Sequence, residues 1–280
     1  MAIISISGKI GSGKDTVGHI MQILIDMPHF SNIAVIEYLD KKDINYSYKN
    51  KKFADKLKDI VCMLIGCTRE QLEDRDFKEK ELGEEWIRYS ISNGFWSHSD
   101  NNPSHKMMDS KQCTKEEYEE EVKINWQTAY KTVYTPRLLL QHIGTELFRN
   151  QIIDGIWVNA LMSEYKAKEE LVGTTPENIQ WGEVYPNWII TDTRFPNELQ
   201  AVKDKGGINI RVNRPKEREL ILRNASSIID TRKTLEPKHK SETALDNATF
   251  DYTIENDGTL DELIDKIRDL LITLKLIYIK

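Results

Sequence analysis

The chain opens on Ile3-Ile4-Ser5-Ile6-Ser7, a β-rich run that stops at Gly8, and helical periodicity takes over from Gly13. Residues 33–38 (IAVIEY) are a second continuous apolar run and predict a second buried strand. In FADKLKDIVCMLIG, Phe53, Leu57, Ile60, Val61 and Leu64 recur at helical spacing until Gly66 ends the run. The pattern weakens from about Gly83 to Thr135, where Asn93-Gly94, Asn101-Asn102-Pro103 and a glutamate cluster from Glu116 to Glu121 mark a polar insertion. Pro136 precedes a clear helix, RLLLQHIGTELFRNQI, with Leu139, Ile143 and Leu147 as its apolar stripe, and another helix starts near Trp157. Trp188-Ile189-Ile190-Thr191 predicts a strand ending in Asp192. Ile208 to Val212 predicts another, and FDYTIEN the last. Thr259 is placed to cap a final helix whose Leu260, Leu263, Ile264, Ile267, Leu270, Leu271 and Leu274 form a wide core-facing stripe. No internal repeat is visible. Strands alternating with helices imply an α/β fold, a parallel sheet covered on both faces, with its site at the carboxyl ends of the strands.

Composition narrows the class. With 280 residues, 39% hydrophobic and 30% charged, the chain is globular, and no apolar run approaches the ~20 residues of a membrane span. The chain passes from Met1 straight into a strand, which leaves no room for a signal peptide. Three cysteines, Cys62, Cys67 and Cys113, cannot all pair, and no C-x-x-C suggests zinc. The expectation is a reducing, cytoplasmic setting. His98, His105 and Cys113 fit no metal spacing and read as surface residues. The net charge of −6 argues against direct nucleic-acid binding. Between Arg211 and Lys240, however, nine Lys/Arg face four acids, a cationic island suited either to a small anionic ligand or to a solvated loop.

The candidate chemistry begins at residues 8–16, GKIGSGKDT. Gly8, Gly13 and Lys14 keep the register of the phosphate-loop motif G-x-x-x-x-G-K-[ST], but Asp15 follows the lysine and the hydroxyl comes one residue late, at Thr16. Gly8, Gly11 and Gly13 let backbone N–H groups turn toward a phosphate, and the start of the next helix adds partial positive charge. Lys14 would reach the β/γ-phosphates. Asp15 either assists a metal indirectly or caps the helix start. In TDTRFPNE, Asp192 ends a strand and suits a Mg²⁺ shell, while Arg194 suits a bidentate grip on phosphate. Glu198 serves either that chemistry or the cap of the helix after Pro196. On the helix after Pro136, Arg137, Gln141, Thr145 and Arg149 lie four apart with Glu146 beside them. They suit a phosphate and base edge, and a solvated polar face would show the same spacing.

Taken together, GKIGSGKDT, FADKLK, RLLLQHIGTELFR, ITDTRFPNE, HKSE (239–242) and IENDGTLDEL resemble the deoxynucleoside monophosphate kinases of bacteriophages, in the adenylate-kinase-like branch of phosphate-loop proteins. The resemblance runs from residue 3 to about 270 and places nothing on the stretch from Gly83 to Thr135. It implies a single kinase domain over 1–280, with an acceptor-side insertion at about 83–135 and a basic lid at about 213–245. It implies that Gly8, Gly11, Ser12, Gly13, Lys14, Asp15 and Thr16 hold the ATP phosphates, and that Thr16 and Asp192 hold Mg²⁺ largely through water. Arg194 would meet the transferring group. Phe53 and Lys56 or Lys58 would border the acceptor pocket, with Arg137, Gln141, Thr145, Glu146 and Arg149 around its phosphate and base. Arg214 and Arg218 would belong to the lid, and Asn256 to Gly258 would lie near the donor adenine.

The expected reaction is transfer of the γ-phosphoryl group of ATP to a deoxynucleoside 5′-monophosphate. Nucleotides are the expected partners, and a homodimer is an open expectation. A kinase for another phosphorylated acceptor, such as dephospho-coenzyme A or phosphomevalonate, shares the loop and the strand-end Asp. An ATP-driven nucleic-acid machine calls for a hydroxyl directly after Lys14 and a basic surface.

Overall fold

The computed structural model describes residues 3–41, 44–92, 110–175, 178–214 and 240–278. These fall into two compact units. One is built from the described parts of Met1–Phe53, Trp157–Ile228 and Lys240–Lys280, the other from those of Ala54–Ile156.

The first unit holds a five-stranded sheet. Its strands are β1 (Ile3–Gly8), β2 (Lys49–Lys51), β8 (Trp188–Thr193), β9 (Ile208–Asn213) and β10 (Tyr252–Glu255), in the order β10-β9-β1-β8-β2. Every pairing is parallel, and Ile4 of β1 sits opposite Ile189 on one side and Ile208 on the other. Alternate residues point to opposite faces. Ile4, Ile6, Ile189 and Ile210 join a cluster with α1 (Lys14–Asp26) and α11 (Leu260–Thr273), whose Leu263, Ile264, Ile267 and Leu271 are buried. Ile3, Trp188 and Ile190 join a second cluster with Phe53, Leu161 and Val202. The sheet is therefore covered on both faces, as a parallel sheet requires. Thr259 caps α11 with a capping box to Glu262, as its sequence position implied, while Leu260 at the start of the stripe stays exposed.

The strand expected at residues 33–38 is a helix, α2 (Asn32–Leu39). Ser31 starts it by accepting a hydrogen bond from Ala34 N, and Val35 is its buried residue, with Ile33 exposed. The strand on that side of the sheet is β2, three polar residues that pair through backbone with β8 at the sheet edge. A hairpin of β6 (Lys168–Thr175) and β7 (Asn178–Val184) also lies outside the sequence expectation.

The second unit begins with α3 (Asp55–Ile65), ended by Gly66 in the left-handed conformation, where the pattern placed its end. Leu57 and Val61 are buried, whereas Leu64 is exposed. Two short helices follow, α4 (Arg69–Glu73) and α5 (Arg75–Glu79). Within 83–135 the described residues form a three-stranded antiparallel sheet of β3 (Ile87–Ser92), β4 (Ser110–Cys113) and β5 (Ala129–Val133) in the order β4-β3-β5, with α6 (Lys115–Asn125) capped by Thr114. His98 and His105 lie outside the described residues. Helix α7 (Pro136–Gln141), capped by Thr135, continues into a wider winding over His142–Ile152. That winding changes which residues share a face. Leu147, expected on the apolar stripe, is 41% exposed, while Thr145, Glu146 and Arg149 are buried.

Candidate active site

All five strands of the parallel sheet point their carboxyl ends the same way, and β1 ends in the glycine loop. Gly11 and Gly13 take φ of +77° and +89°, the left-handed region where a side chain would be strained. Gly13 is also the N-cap of α1 and carries no side-chain cap, so the first N–H groups of the helix have no such partner. Five residues on, Gly18 lets α1 lie against β8. A Cβ there would stand 2.5 Å from Thr191 Cγ2.

Asp15, in the place of the motif hydroxyl, does not cap the helix. Its Oδ1 accepts the Thr191 hydroxyl at 2.8 Å and lies 3.3 Å from Lys52 Nζ. Burial raises its pKa, but Lys52, the Thr191 hydroxyl and Lys14 together outweigh burial and hold the carboxyl below its ordinary range. Lys52 is a site residue that the sequence reading missed, and its signal was its place directly before Phe53 in FADKLK. Thr16 is exposed on the first turn of α1. Lys14 is half-buried. Desolvation, with Arg194 and Lys52, lowers its pKa, while Asp15 and Asp192 act in the opposite sense. Lys14, Asp15, Lys52, Asp192 and Arg194 therefore share one electrostatic neighbourhood.

Asp192 sits near the end of β8 and is 9% exposed. Its Oδ1 accepts the Phe53 backbone N–H at 2.8 Å. The dipeptide Lys52-Phe53 thus serves both acids of the site, one by side chain and one by backbone. The Phe53 ring itself is packed in the core with Trp188 and Ile190 rather than bordering open space. Glu198 settles on the capping role. Its Oε2 accepts from the backbone N–H of Arg194 at 2.7 Å and of Phe195 at 3.1 Å, at the start of α9 (Pro196–Asp204). The Arg194 side chain stays exposed. A pocket is lined by Gly8, Lys9, Lys14, Arg194, Arg211 and Glu242. Lys9 Nζ closes one side of it through the Glu242 carbonyl, at 3.0 Å, and the Asp246 carboxylate. Lys240, Ser241 and Glu242 of the HKSE stretch therefore belong to a segment anchored at the loop, with α10 (Lys240–Thr243) as its helical turn.

Arg214 and Asn256 both touch the loop backbone. Arg214 donates to Gly11 O at 3.0 Å, and Asn256 Nδ2 donates to Ser12 O at 2.9 Å. Gly258 follows two residues later, ahead of the Thr259 cap. Arg218, with most of the expected lid, lies outside the described residues. Among the described residues, Ser12 Oγ and Thr193 Oγ1 are buried at this end of the sheet without a hydrogen-bond partner. Such buried polar atoms are costly unless a ligand, ion or water meets them.

The residues expected on the acceptor side belong to the second unit. Arg137 pairs with Glu79, and Lys58 pairs with Glu73, while Lys56 is exposed. Lys78, also missed in the sequence, has its pKa lowered by burial, partly offset by Glu73, with Lys58 and Arg137 adding to the lowering. Gln141 is half-buried. Arg149 donates to Asp154 O at 2.8 Å, and Asn150 donates to Glu146 Oε2 at 3.1 Å. The reading of this helix as a solvated polar face fails for Thr145, Glu146 and Arg149, which are 6%, 4% and 4% exposed.

Comparison with known proteins shows the family. A deoxynucleoside-5′-monophosphate kinase of Escherichia phage T5 is 25% identical over 222 residues, 74% of each chain. A deoxynucleotide monophosphate kinase of Enterobacteria phage T4 is 28% identical over 138 residues, 49% of this chain and 46% of its own. The model of the deoxynucleotide monophosphate kinase family matches residues 2–267. A match of that extent covers the glycine loop, the strand-end Asp192 and the α7 helix alike, and the chain belongs to the deoxynucleotide monophosphate kinase family.

Proposed function

We propose that this kinase takes ATP on its glycine loop and transfers the γ-phosphoryl group to the 5′-phosphate of a deoxynucleoside monophosphate. Membership of the family supports the acceptor class. The observation that carries the donor assignment is Lys14 at the end of a glycine loop, with Asp192 and Arg194 in its electrostatic neighbourhood.

The acceptor phosphate oxygen is already anionic near neutral pH, so the step needs no general base. What the chain must supply is alignment and neutralisation of charge. Lys14 would meet the donor phosphates and Arg194 the group in transfer. Gly8, Gly11, Ser12, Gly13, Asp15 and Thr16 would form the cradle. Arg137, Gln141, Thr145, Glu146 and Arg149, with Lys56 near the pocket border, would serve the acceptor. No group of three or more metal-binding side chains occurs among the described residues. Mg²⁺ is commonly held by one or two carboxylates plus phosphate and water. Asp192 and Thr16 would hold it, and when bound it would offset charge on the donor oxygens.

Among the described residues no helix is long and apolar enough to cross a membrane. The reading places the enzyme in the cytoplasm, with nucleotides as its partners and nucleic acid not among them. The same reading leaves a homodimer open, and light scattering on the purified protein would decide it.

The test is ADP release with ATP and Mg²⁺ against a panel of dTMP, dGMP, dCMP, dAMP, their ribo counterparts, dephospho-coenzyme A, phosphomevalonate and single-stranded DNA. Turnover confined to deoxynucleoside monophosphates is expected. Turnover only with a non-nucleotide acceptor, or ATP hydrolysis stimulated only by DNA, overturns the reading.

A further inference from the structure

A loop that presents its N–H groups to a phosphate must turn its carbonyls the other way, and those carbonyls need donors of their own. Two of them have such donors here. Gly11 O accepts from Arg214 at 3.0 Å, and Ser12 O accepts from Asn256 Nδ2 at 2.9 Å. We propose that Arg214 and Asn256 are positioning residues that hold the glycine loop in its phosphate-accepting conformation by gripping these two carbonyls. This differs from the roles the resemblance implies, a lid for Arg214 and an adenine contact for Asn256.

The two donors come from adjoining strand ends that are fastened together. The Asn256 N–H donates to Asn213 O at 2.8 Å, one residue before Arg214, and Asn213 Nδ2 donates to Glu255 Oε1 at 2.8 Å. Lys266 of α11 steadies the same turn by donating to Glu255 O at 2.8 Å. The ends of β9 and β10 thus form a platform against the loop. The fit is close. A Cβ on Gly13 would stand 2.6 Å from Asn256 Nδ2, so the glycine admits the amide as well as its own positive φ. Gly11 and Gly13 fix the hand of the loop, and the platform fixes the tilt of the peptide planes between them. A brace of this kind acts on the phosphates and is indifferent to the base attached to them.

The inference rests on the reading of the loop as the donor site, and the experiment separates the two. Titration calorimetry would measure the binding of ATP, GTP and inorganic tripolyphosphate to wild type, Asn256→Ala, Asn256→Asp and Arg214→Ala. Asn256→Ala is expected to weaken all three ligands by the same factor, about three- to ten-fold for one lost hydrogen bond. Asn256→Asp is expected to weaken them more, because it turns a carboxylate toward the Ser12 carbonyl. Arg214→Ala carries the same expectation on an independent residue, should an Asn256 variant fail to fold. The KM for the acceptor and the ATP:GTP ratio should hold at wild-type values, a pattern that general loosening of the fold does not give. Loss confined to ATP with tripolyphosphate unchanged makes Asn256 a base contact and overturns the brace, as do unchanged affinities throughout. A wild type that binds no triphosphate removes the donor reading and the brace with it.

Discussion

The Asp15 carboxylate accepts the Thr191 hydroxyl at 2.8 Å, tying the first turn of α1 to β8, the neighbour of the strand that feeds the glycine loop. The residue that departs from the common phosphate-loop motif is thus a strut between helix and sheet, and Lys52 balances its charge.

That balance has a pH signature. A carboxyl held below its unfolded value adds stability at neutral pH, and this is lost as pH falls through its folded value. Lys52→Met should therefore destabilise the protein near neutrality, and the gap from wild type should close in acid. Asp15 is more than half exposed, so solvent screening keeps the effect under about 1 kcal/mol. Urea unfolding at about pH 7 and at the lowest pH where the fold survives would read it, and a gap that widens in acid would contradict it.

Lys14 should set the alkaline limb of the activity. Burial holds its ammonium below the ordinary lysine range, so the charged form is lost earlier than usual as pH rises. The expected kcat/KM profile falls below that range in wild type, and the residual activity of Lys14→Arg loses that limb because a guanidinium keeps its charge. Lys14→Ala should cut turnover by at least about 10²-fold with unchanged circular dichroism. Normal turnover in that variant would remove the glycine loop from the mechanism.

Arg194 and Glu198, four residues apart, should behave as opposites. Arg194→Ala alters an exposed side chain and should change stability by no more than about 0.5 kcal/mol while lowering turnover by at least about 10²-fold. Glu198→Ala leaves the Arg194 and Phe195 N–H groups without their cap and should cost about 1–3 kcal/mol in urea unfolding. Were Arg194→Ala to lower only the melting temperature, Arg194 would be structural.

Gly18→Ala tests the contact between α1 and β8. The new methyl would meet Thr191 Cγ2 at 2.5 Å and Ile189 Cγ2 at 3.3 Å, and Ile189 belongs to a central strand that cannot retreat. A loss of about 1–3 kcal/mol is expected from such overpacking. Wild-type stability would mean that the helix can shift away freely.

The sequence disclosed the elements whose pattern and backbone task coincide. Ile3 to Gly8, Trp188 to Thr193 and the capped helix after Thr259 follow the expected course because each carries its own apolar periodicity and its own stop. It misled where a side-chain pattern had no bearing on pairing. IAVIEY is apolar enough for a buried strand yet starts at a serine cap and winds as a helix, while Lys-Asn-Lys at 49–51 carries no apolar pattern and still pairs with β8 through its backbone. The wide winding over His142–Ile152 moved Leu147 outward for a similar reason, since 3.6-residue spacing does not govern it. In the candidate site, the positions of Lys14 after the glycine loop and of Asp192 near a strand end were legible from motif and pattern. Lys52 and the loop contacts of Arg214 and Asn256 were not, because they arise where separate strand ends meet.

The strand order also dictates when the enzyme comes into being on the ribosome. β1 is made long before its partners on both sides, β8 and β9, which lie at Trp188–Thr193 and Ile208–Asn213. A newborn chain therefore carries its glycine loop on an unpaired strand until β8 has been made, a wait that at about 5–20 residues per second lasts on the order of ten seconds or more. Nucleotide binding cannot assist folding from the amino end. It arrives as a late act, when the central strand gains neighbours and the loop gains its supports together.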